Sequence, residues 1–319
     1  MTAPSRRLAW RIAQVVLTAI VVALVVRKLV AEWGAVRDAL EHARPNWLAL
    51  AASGAIVLAT YALLIETWRV LLRGWEHEIP FVDAARIWTI SNLGKYLPGK
   101  VWSITALVVM TRRYGVSAAE GAATSVLLTL VNTIVGFIVA IVAGAALLNL
   151  PPAAVTIVAV LGVIVLAMPS ALPRIGMLAG RVLGRSIVLR PLPHRVLLIA
   201  SLLTAVAWTT YGIAFRLFVL GVLGAAPGAL SDYMAVFAGS YLLGFIAIFS
   251  PAGVGVREGA MSVALRQAGF ALGPAWLVVV ASRLWLTALE VIPPFLFLAF
   301  VRRSRLSPHE EDQSPTPAR

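Results

Sequence analysis

Five stretches of this chain stay apolar for at least about 17 residues, the length an α-helix needs to cross the hydrocarbon layer of a bilayer. They are Leu8–Val26, Trp47–Ile65, Thr124–Leu148, Val196–Leu223 and Ala275–Val301, with a marginally shorter sixth at Ala153–Met168. Nothing else limits the fold as strongly, because a backbone in lipid must pair its own polar groups. Over 319 residues, 60% are hydrophobic, 13% are charged and the mean hydropathy is +0.90, far from the balance of a soluble globule. The expectation is an all-α polytopic membrane protein with about six spanning helices.

The first run follows Arg6 and Arg7 but precedes no small-x-small cleavage site, so it reads as an uncleaved first helix rather than a signal peptide. The net charge of +13 invites a nucleic-acid partner. Placement argues against one: most of the basic residues, all Arg except Lys28, Lys95 and Lys100, flank apolar runs, as topology signals do. The absence of Cys excludes disulfides, thiol nucleophiles and Cys-based metal sites, and the four His have no ligand spacing, so neither metal nor cofactor is expected. The polar residues 304–319 read as a disordered tail.

Two segments, Ala84–Thr111 and Asp232–Arg266, are each cut in the middle by Gly, Pro and cations: NLGKYLPGKVWS over 92–103 and SPAGVGVREG over 250–259. Broken helices at bilayer depth leave backbone groups unpaired and persist only where they are buried in protein or line a wet cavity. Each segment could cross once or turn back as a hairpin. With a cytoplasmic amino terminus and two hairpins, Arg69, Arg73, Arg112, Arg113, the five-Arg loop from Arg174 to Arg195, and Arg302, Arg303 and Arg305 all fall inside. The connections Asn149–Pro152 and Gly224–Ser231, free of Lys and Arg, fall outside, as the positive-inside bias requires. The loop with Arg27, Lys28, Arg37 and Arg44 runs against the bias, although Glu32, Asp38 and Glu41 accompany it.

This topology makes residues 47–148 and 196–301 inverted repeats, preceded by the extra helix 8–26 and joined by the linking helix 153–168, within one membrane domain over 1–303. Both termini would be cytoplasmic. Inverted repeats with broken segments in matching positions are a recurrent plan for alternating access.

The breaks suggest an anion site. Gly94, Pro98 and Gly99 interrupt the first segment, placing Lys95 and Lys100 at the gap. Pro251, Gly253 and Gly255 open the second, and Arg257 starts the half-helix that follows. Unpaired N–H groups and the positive dipole end of such half-helices bind anionic oxygens, and a guanidinium grips a phosphate in two places. The expected substrate contacts are therefore Asn92, Gly94, Lys95, Gly99 and Lys100 with Ser250, Gly253, Gly255 and Arg257. A basic side chain at the centre of a membrane helix costs about 2.5 to 3.5 kcal/mol. Lys95, Lys100, Arg257, Arg283 and Arg216 together would cost roughly 12 to 17 kcal/mol if unpaired, the scale of a whole domain's stability. Glu66, Glu258 and Glu290 are too few to match them, which favours a cavity built for an anion. These carboxylates are also candidate proton carriers, because intramembrane acids often titrate.

Blander roles compete. Lys95 and Lys100 could snorkel to the interface. Arg283 and Glu290, seven residues apart on one face, could be structural ion-pair members. Arg216 reads as interfacial, and Asn132, Tyr61 and Tyr211 serve either the pathway or interhelical hydrogen bonds. Trp10, Trp47 and Trp276 look like interface anchors. Residues 94–101 fit the G-x-x-x-x-G-K spacing of a phosphate-binding loop, but Val101 stands where Ser or Thr would hold magnesium and no strand precedes. Gly253-x-Gly255 likewise lacks a βαβ setting, and no G-x-S-x-G elbow occurs.

The paired motifs N-x-G-K-Y-x-P-G-K-V-W at 92–102 and S-P-A-G-x-G-x-R-E-G at 250–259 resemble the flippase-like family named for the transmembrane region of lysylphosphatidylglycerol synthases, over about residues 8 to 303. The resemblance implies a bacterial or archaeal cytoplasmic-membrane protein that moves lipids or lipid-linked precursors between leaflets. Its cargo would be a phospholipid or a polyprenyl-phosphate-linked sugar, and its partners would be membrane lipids and envelope-lipid or glycosylation enzymes. The aminoacyl-transferase domain of the synthases has no counterpart here, so lipid aminoacylation is not expected. The alternatives are a membrane-embedded glycosyl- or acyl-transferase using Glu258 or Glu290 as base, and a scaffold recruiting a synthase through the five-Arg loop.

Overall fold

The computed structural model describes residues 33–96, 102–166, 190–247, 250 and 253–306, together with Arg27 and Val30. The expected first helix, Trp10, Pro98, Gly99, Lys100, Pro251 and most of the five-Arg loop lie outside the described residues. Within them the chain is helical, with no strand: α1 Trp33–Glu41, α2 Trp47–Arg73, α3 Phe81–Asn92, α4 Trp102–Thr111, α5 Ala118–Gly144, α6 Pro152–Leu166, α7 His194–Leu223, α8 Leu230–Ile246, α9 Val256–Gln267 and α10 Leu272–Leu306.

Four helices, α2, α5, α7 and residues 272–297 of α10, are long and apolar enough to cross a membrane. The protein is therefore a multi-pass helical membrane protein. At the marginal expected span Ala153–Met168, the described helix α6 has 15 residues, about 22 Å, short of a hydrocarbon layer of about 30 Å. Local chemistry fixes the starts. Asn46 caps α2 by accepting the Ala49 N–H, and Ser117 opens α5 with a capping box in which Glu120 reaches back to the Ser117 N–H.

The centre of the bundle is an antiparallel crossing of α2 and α7. Asn46 N–H donates to the Gly221 carbonyl (2.8 Å), Ser53 Oγ to the Ala214 carbonyl (2.8 Å), and Thr60 Oγ1 to Thr210 Oγ1 (2.8 Å). Partner numbers fall as residue numbers rise, which is the register of opposed helices. Buried hydroxyls along these helices, such as those of Thr67 and Thr204, donate to the carbonyl four residues back and so need no other partner. Small residues let the neighbours close in: a Cβ on Gly136 would lie 2.7 Å from Trp208, and one on Gly54 would lie 2.8 Å from Trp285.

One end of the bundle gathers the end of α2 with the starts of α3, α5 and α7. There Arg69 Nε donates to the Ile79 carbonyl (2.9 Å), His77 Nε2 lies 3.1 Å from Glu120 Oε2, and Trp75 Nε1 donates to the Arg190 carbonyl (2.9 Å). The other end gathers α1, the start of α2, the end of α7 and the start of α10. A Cβ on Gly273 there would overlap the Ala35 carbonyl at 2.3 Å.

Helix α1 lies in the basic loop that broke the topology bias. Arg37 is paired with Glu41 at 2.9 Å, and Val36 packs in the same buried cluster as Trp276. Trp276 is consequently 2% exposed and is a core residue, not the interface anchor its position at the start of a span suggested. Trp47, 75% exposed, remains free for that role.

Candidate functional site

Helices α3 and α4 fold back on each other. At their open end Arg113 Nη2 approaches Asp83 Oδ1 at 3.5 Å. At the closed end a 3-10 turn, Leu93–Tyr96, follows α3, and Gly94 sits so close to the start of α4 that a Cβ would meet the Ser103 nitrogen at 2.5 Å. Helices α8 and α9 do the same. Tyr233 and Phe270 close the open end, ring centroids 6.4 Å apart, and a Cβ on Gly244 near the turn would lie 2.7 Å from Arg257 Cβ.

Backbone conformation builds the second turn. Gly253 and Gly255 have φ of +70° and +89°, which side chains with a Cβ rarely adopt. A Cβ on Gly253 would also strike the Gly244 carbonyl oxygen at 2.8 Å. Ser250 is buried; its Oγ donates to the Val254 carbonyl (2.6 Å), and its own carbonyl accepts the Gly253 N–H (3.1 Å), so its polar groups hold the turn. Glu258, at the third position of α9, reaches back to accept the Gly255 N–H. That capping satisfies one of the donors that a helix start leaves unpaired.

Arg257 occupies the first turn of α9 and is 8% exposed. Its guanidinium lies over the rings of Phe237 (5.6 Å) and Tyr241 (5.1 Å), both on α8. Its Nη2 is buried with no hydrogen-bond partner among the described residues. A buried charge with an idle donor is costly and demands explanation. In the first turn of α4, Ser103 Oγ is likewise buried and unpartnered among the described residues.

Helix α10 carries a residue for each turn. Lys95 Nζ, from the first, is 2.7 Å from Glu290 Oε1; Glu258 Oε1, from the second, is 3.4 Å from Arg283 Nη1. Arg283 and Glu290 are about 10 Å apart along the helix axis, so both turns dock within about two helical turns of one strut. Arg257 is in electrostatic reach of Tyr241, Arg283, Glu290 and Glu258. The structure thus brings Gly94, Lys95, Gly253, Gly255, Arg257, Glu258, Arg283 and Glu290 into one constellation. Seven-residue spacing puts Arg283 and Glu290 on one face as ion-pair members, and each is one, with a partner in a different helix pair. Glu66 stands apart, held by Arg69 and Arg73 of its own helix. Asn92 ends α3, half-buried, and Gly99 and Lys100 lie outside the described residues.

Three features escaped the sequence reading. Phe237 and Tyr241 are four residues apart on α8, the spacing that stacks two side chains on one helix face, and this was the available signal. Gly244 had no such signal, because its neighbour lies 13 residues along the chain. Trp208, whose Nε1 donates to the Asn132 carbonyl (3.0 Å), anchors an aromatic cluster with Tyr211, Phe237 and Tyr241. Arg216 is exposed, 6.0 Å over the Tyr233 ring, in keeping with an interfacial place.

No curated protein matches the sequence. The family model described as the lysylphosphatidylglycerol synthase TM region matches residues 11–293, spanning α1 to α9 and α10 as far as its two prolines, and the chain belongs to that family.

Proposed function

We propose that the protein is a transporter rather than an enzyme, moving an anionic, phosphate-bearing lipid between leaflets. The family points to lipid metabolism or transport. The observation that carries the finer reading is Arg257: a buried guanidinium with an unpartnered Nη2, at the positive end of a helix, beside two cations already matched by carboxylates. An anionic oxygen is the partner that such a donor lacks. Lys95, and Lys100 from the sequence, would join it from the other turn.

In this reading α3–α4 and α8–α9 are re-entrant hairpins from opposite faces, and residues 47–148 and 196–301 are inverted repeats. Support comes from the packing. The first helices of the two repeats, α2 and α7, cross antiparallel, while α8 packs on α5 and α3 on α10, so each hairpin leans on the last helix of the other repeat. The basic end with Arg69, Arg73, Arg112, Arg113, Arg190 and Arg195 is cytoplasmic. A void of about 10 Å³ between Ser53, Tyr211, Phe237, Ser282 and Trp285 holds a water at most; in this reading the halves rock apart to let a head group pass. The hydrocarbon tails stay in lipid beside the bundle.

A head-group translocation assay in proteoliposomes tests this. Arg257→Ala and Lys100→Ala are expected to abolish accelerated flipping while inserting normally. Wild-type rates in both variants refute the site, and a covalently altered lipid found by mass spectrometry would favour a transferase instead.

A further inference from the structure

Three rings stand in a near-parallel row between α7 and α8. Phe237 is the middle one: its centroid is 5.2 Å from that of Tyr211, at an interplanar angle of 25°, and 6.4 Å from that of Tyr241, at 21°. Trp208 braces both outer rings, 6.0 Å from Tyr211 and 5.6 Å from Tyr241, and is itself tied to the Asn132 carbonyl by its indole N–H. Arg257 lies over the Phe237 and Tyr241 end of the row. Tyr211, at the other end, is in electrostatic reach of Tyr241, Glu290 and Arg257.

Packing explains these rings but not their hydroxyls. Phe237 fills the middle of the row with no polar atom, so phenylalanine would serve the same packing at the two outer positions. A phenol inside a bundle ordinarily spends its O–H on a nearby acceptor. Tyr233, one turn before Phe237 on α8, does so by donating to the Pro227 carbonyl. The hydroxyls of Tyr211 and Tyr241, both half-buried residues, have no hydrogen-bond partner among the described residues.

We propose that Tyr211 and Tyr241 are contact residues of the anion site, their hydroxyls donating to the non-bridging oxygens of a phosphodiester whose charge Arg257 holds. This rests on the reading of Arg257 given under the proposed function and adds the neutral half of the site. Arg257 has its Nη2 idle, and two non-bridging oxygens present more acceptor positions than one nitrogen can fill. Away from water an unfilled polar position costs free energy. Phenols fill it without adding a charge that would itself have to be buried. Phe237 and Trp208 already hold the two rings, so little side-chain freedom is lost when the ligand arrives.

The test is calorimetric titration of the full chain in neutral detergent with dihexyl phosphate, a phosphodiester singly charged throughout the neutral range, paired with thermal unfolding of the ligand-free protein. Tyr211→Phe and Tyr241→Phe keep each ring and delete the hydroxyl alone. Each is expected to weaken dihexyl phosphate binding several-fold while leaving the melting temperature unchanged or higher, because the deleted group has no protein partner to lose. Tyr233→Phe should do the opposite: it loses the bond to Pro227, so the melting temperature falls and the affinity stays. Wild-type affinity in either Tyr211→Phe or Tyr241→Phe overturns the proposal for that residue. Weaker binding together with a lower melting temperature assigns the hydroxyl to the fold and overturns it as well. In both cases the anion site stands if Arg257→Ala no longer binds. If wild type binds no dihexyl phosphate, or Arg257→Ala binds it as wild type does, the anion site falls and this proposal falls with it.

Discussion

At the turn between α3 and α4 a lysine reaches across to a carboxylate on another helix, while at the turn between α8 and α9 an arginine is buried over two aromatic rings. The second turn is fixed by two glycines at positive φ, a Glu258 cap, the Ser250 hydrogen bonds and two aromatic rings beneath Arg257. Among the described residues, the first turn holds Gly94 close against α4 and Lys95 in an ion pair with α10. Under the proposed function, two turns of like outline divide the labour: the second offers a preorganised donor, and the first carries a contact that can be exchanged.

Glycine substitutions should break this comparison most sharply. Gly253→Ala combines a left-handed backbone, about 1–2 kcal/mol for a residue with a Cβ, with overlap against the Gly244 carbonyl, for a total of about 3 kcal/mol or more. Gly94→Ala meets overlap alone, about 1–3 kcal/mol. Thermal unfolding in detergent should rank Gly253→Ala as the more damaging. The reverse order would mean that the first turn is the rigid one.

The two carboxylates come next. Glu258→Ala removes a helix cap and the ion pair to Arg283, for an expected loss of about 3 kcal/mol, whereas Glu290→Ala removes an ion pair to a lysine able to snorkel, for about 1–2 kcal/mol. Denaturant unfolding distinguishes the two. Equal losses would erase the proposed difference between a fixed and an exchangeable pair.

What the sequence revealed follows the same division. Spans were legible because twenty apolar residues in a row admit few other folds, and both turns were legible because Gly and Pro interrupt those runs. Side-chain partners were not. The spacing of Arg283 and Glu290 places them on one face but does not say which neighbour that face meets, and the neighbours proved to be residues 25 positions before Arg283 and 195 before Glu290. Helix α1 was missed although Trp33, Val36 and Leu40 recur at helical spacing, because nine residues between charged flanks read as a loop. Trp276 was misplaced for a related reason: the end of a span normally meets the interface, but here α1 covers it.

A smaller effect concerns the platform under Arg257. Phe237→Leu and Tyr241→Leu keep the volume largely apolar but remove the ring face, worth about 1 kcal/mol for a desolvated guanidinium. Dihexyl phosphate affinity should fall several-fold in each, with little change in melting temperature. A large stability loss without an affinity change would make the rings core filler.

The smallest effect is expected at the open end of the first pair, where Asp83 and Arg113 meet at 3.5 Å with side chains 37% and 46% exposed. Water screens such a pair, so Asp83→Asn should cost about 0–1 kcal/mol, less at high salt. The comparison predicts more than a small number. If the first turn is the exchangeable one, loosening its mouth should speed its motion, and Asp83→Asn should leave dihexyl phosphate binding unchanged while raising the head-group flipping rate modestly. The matching mouth of the second pair is closed by apolar contact between Tyr233 and Phe270, which salt does not screen. Tyr233→Ala there should destabilise the fold rather than accelerate it. An Asp83→Asn variant that flips more slowly than wild type would show that the first hairpin, like the second, works as a rigid element.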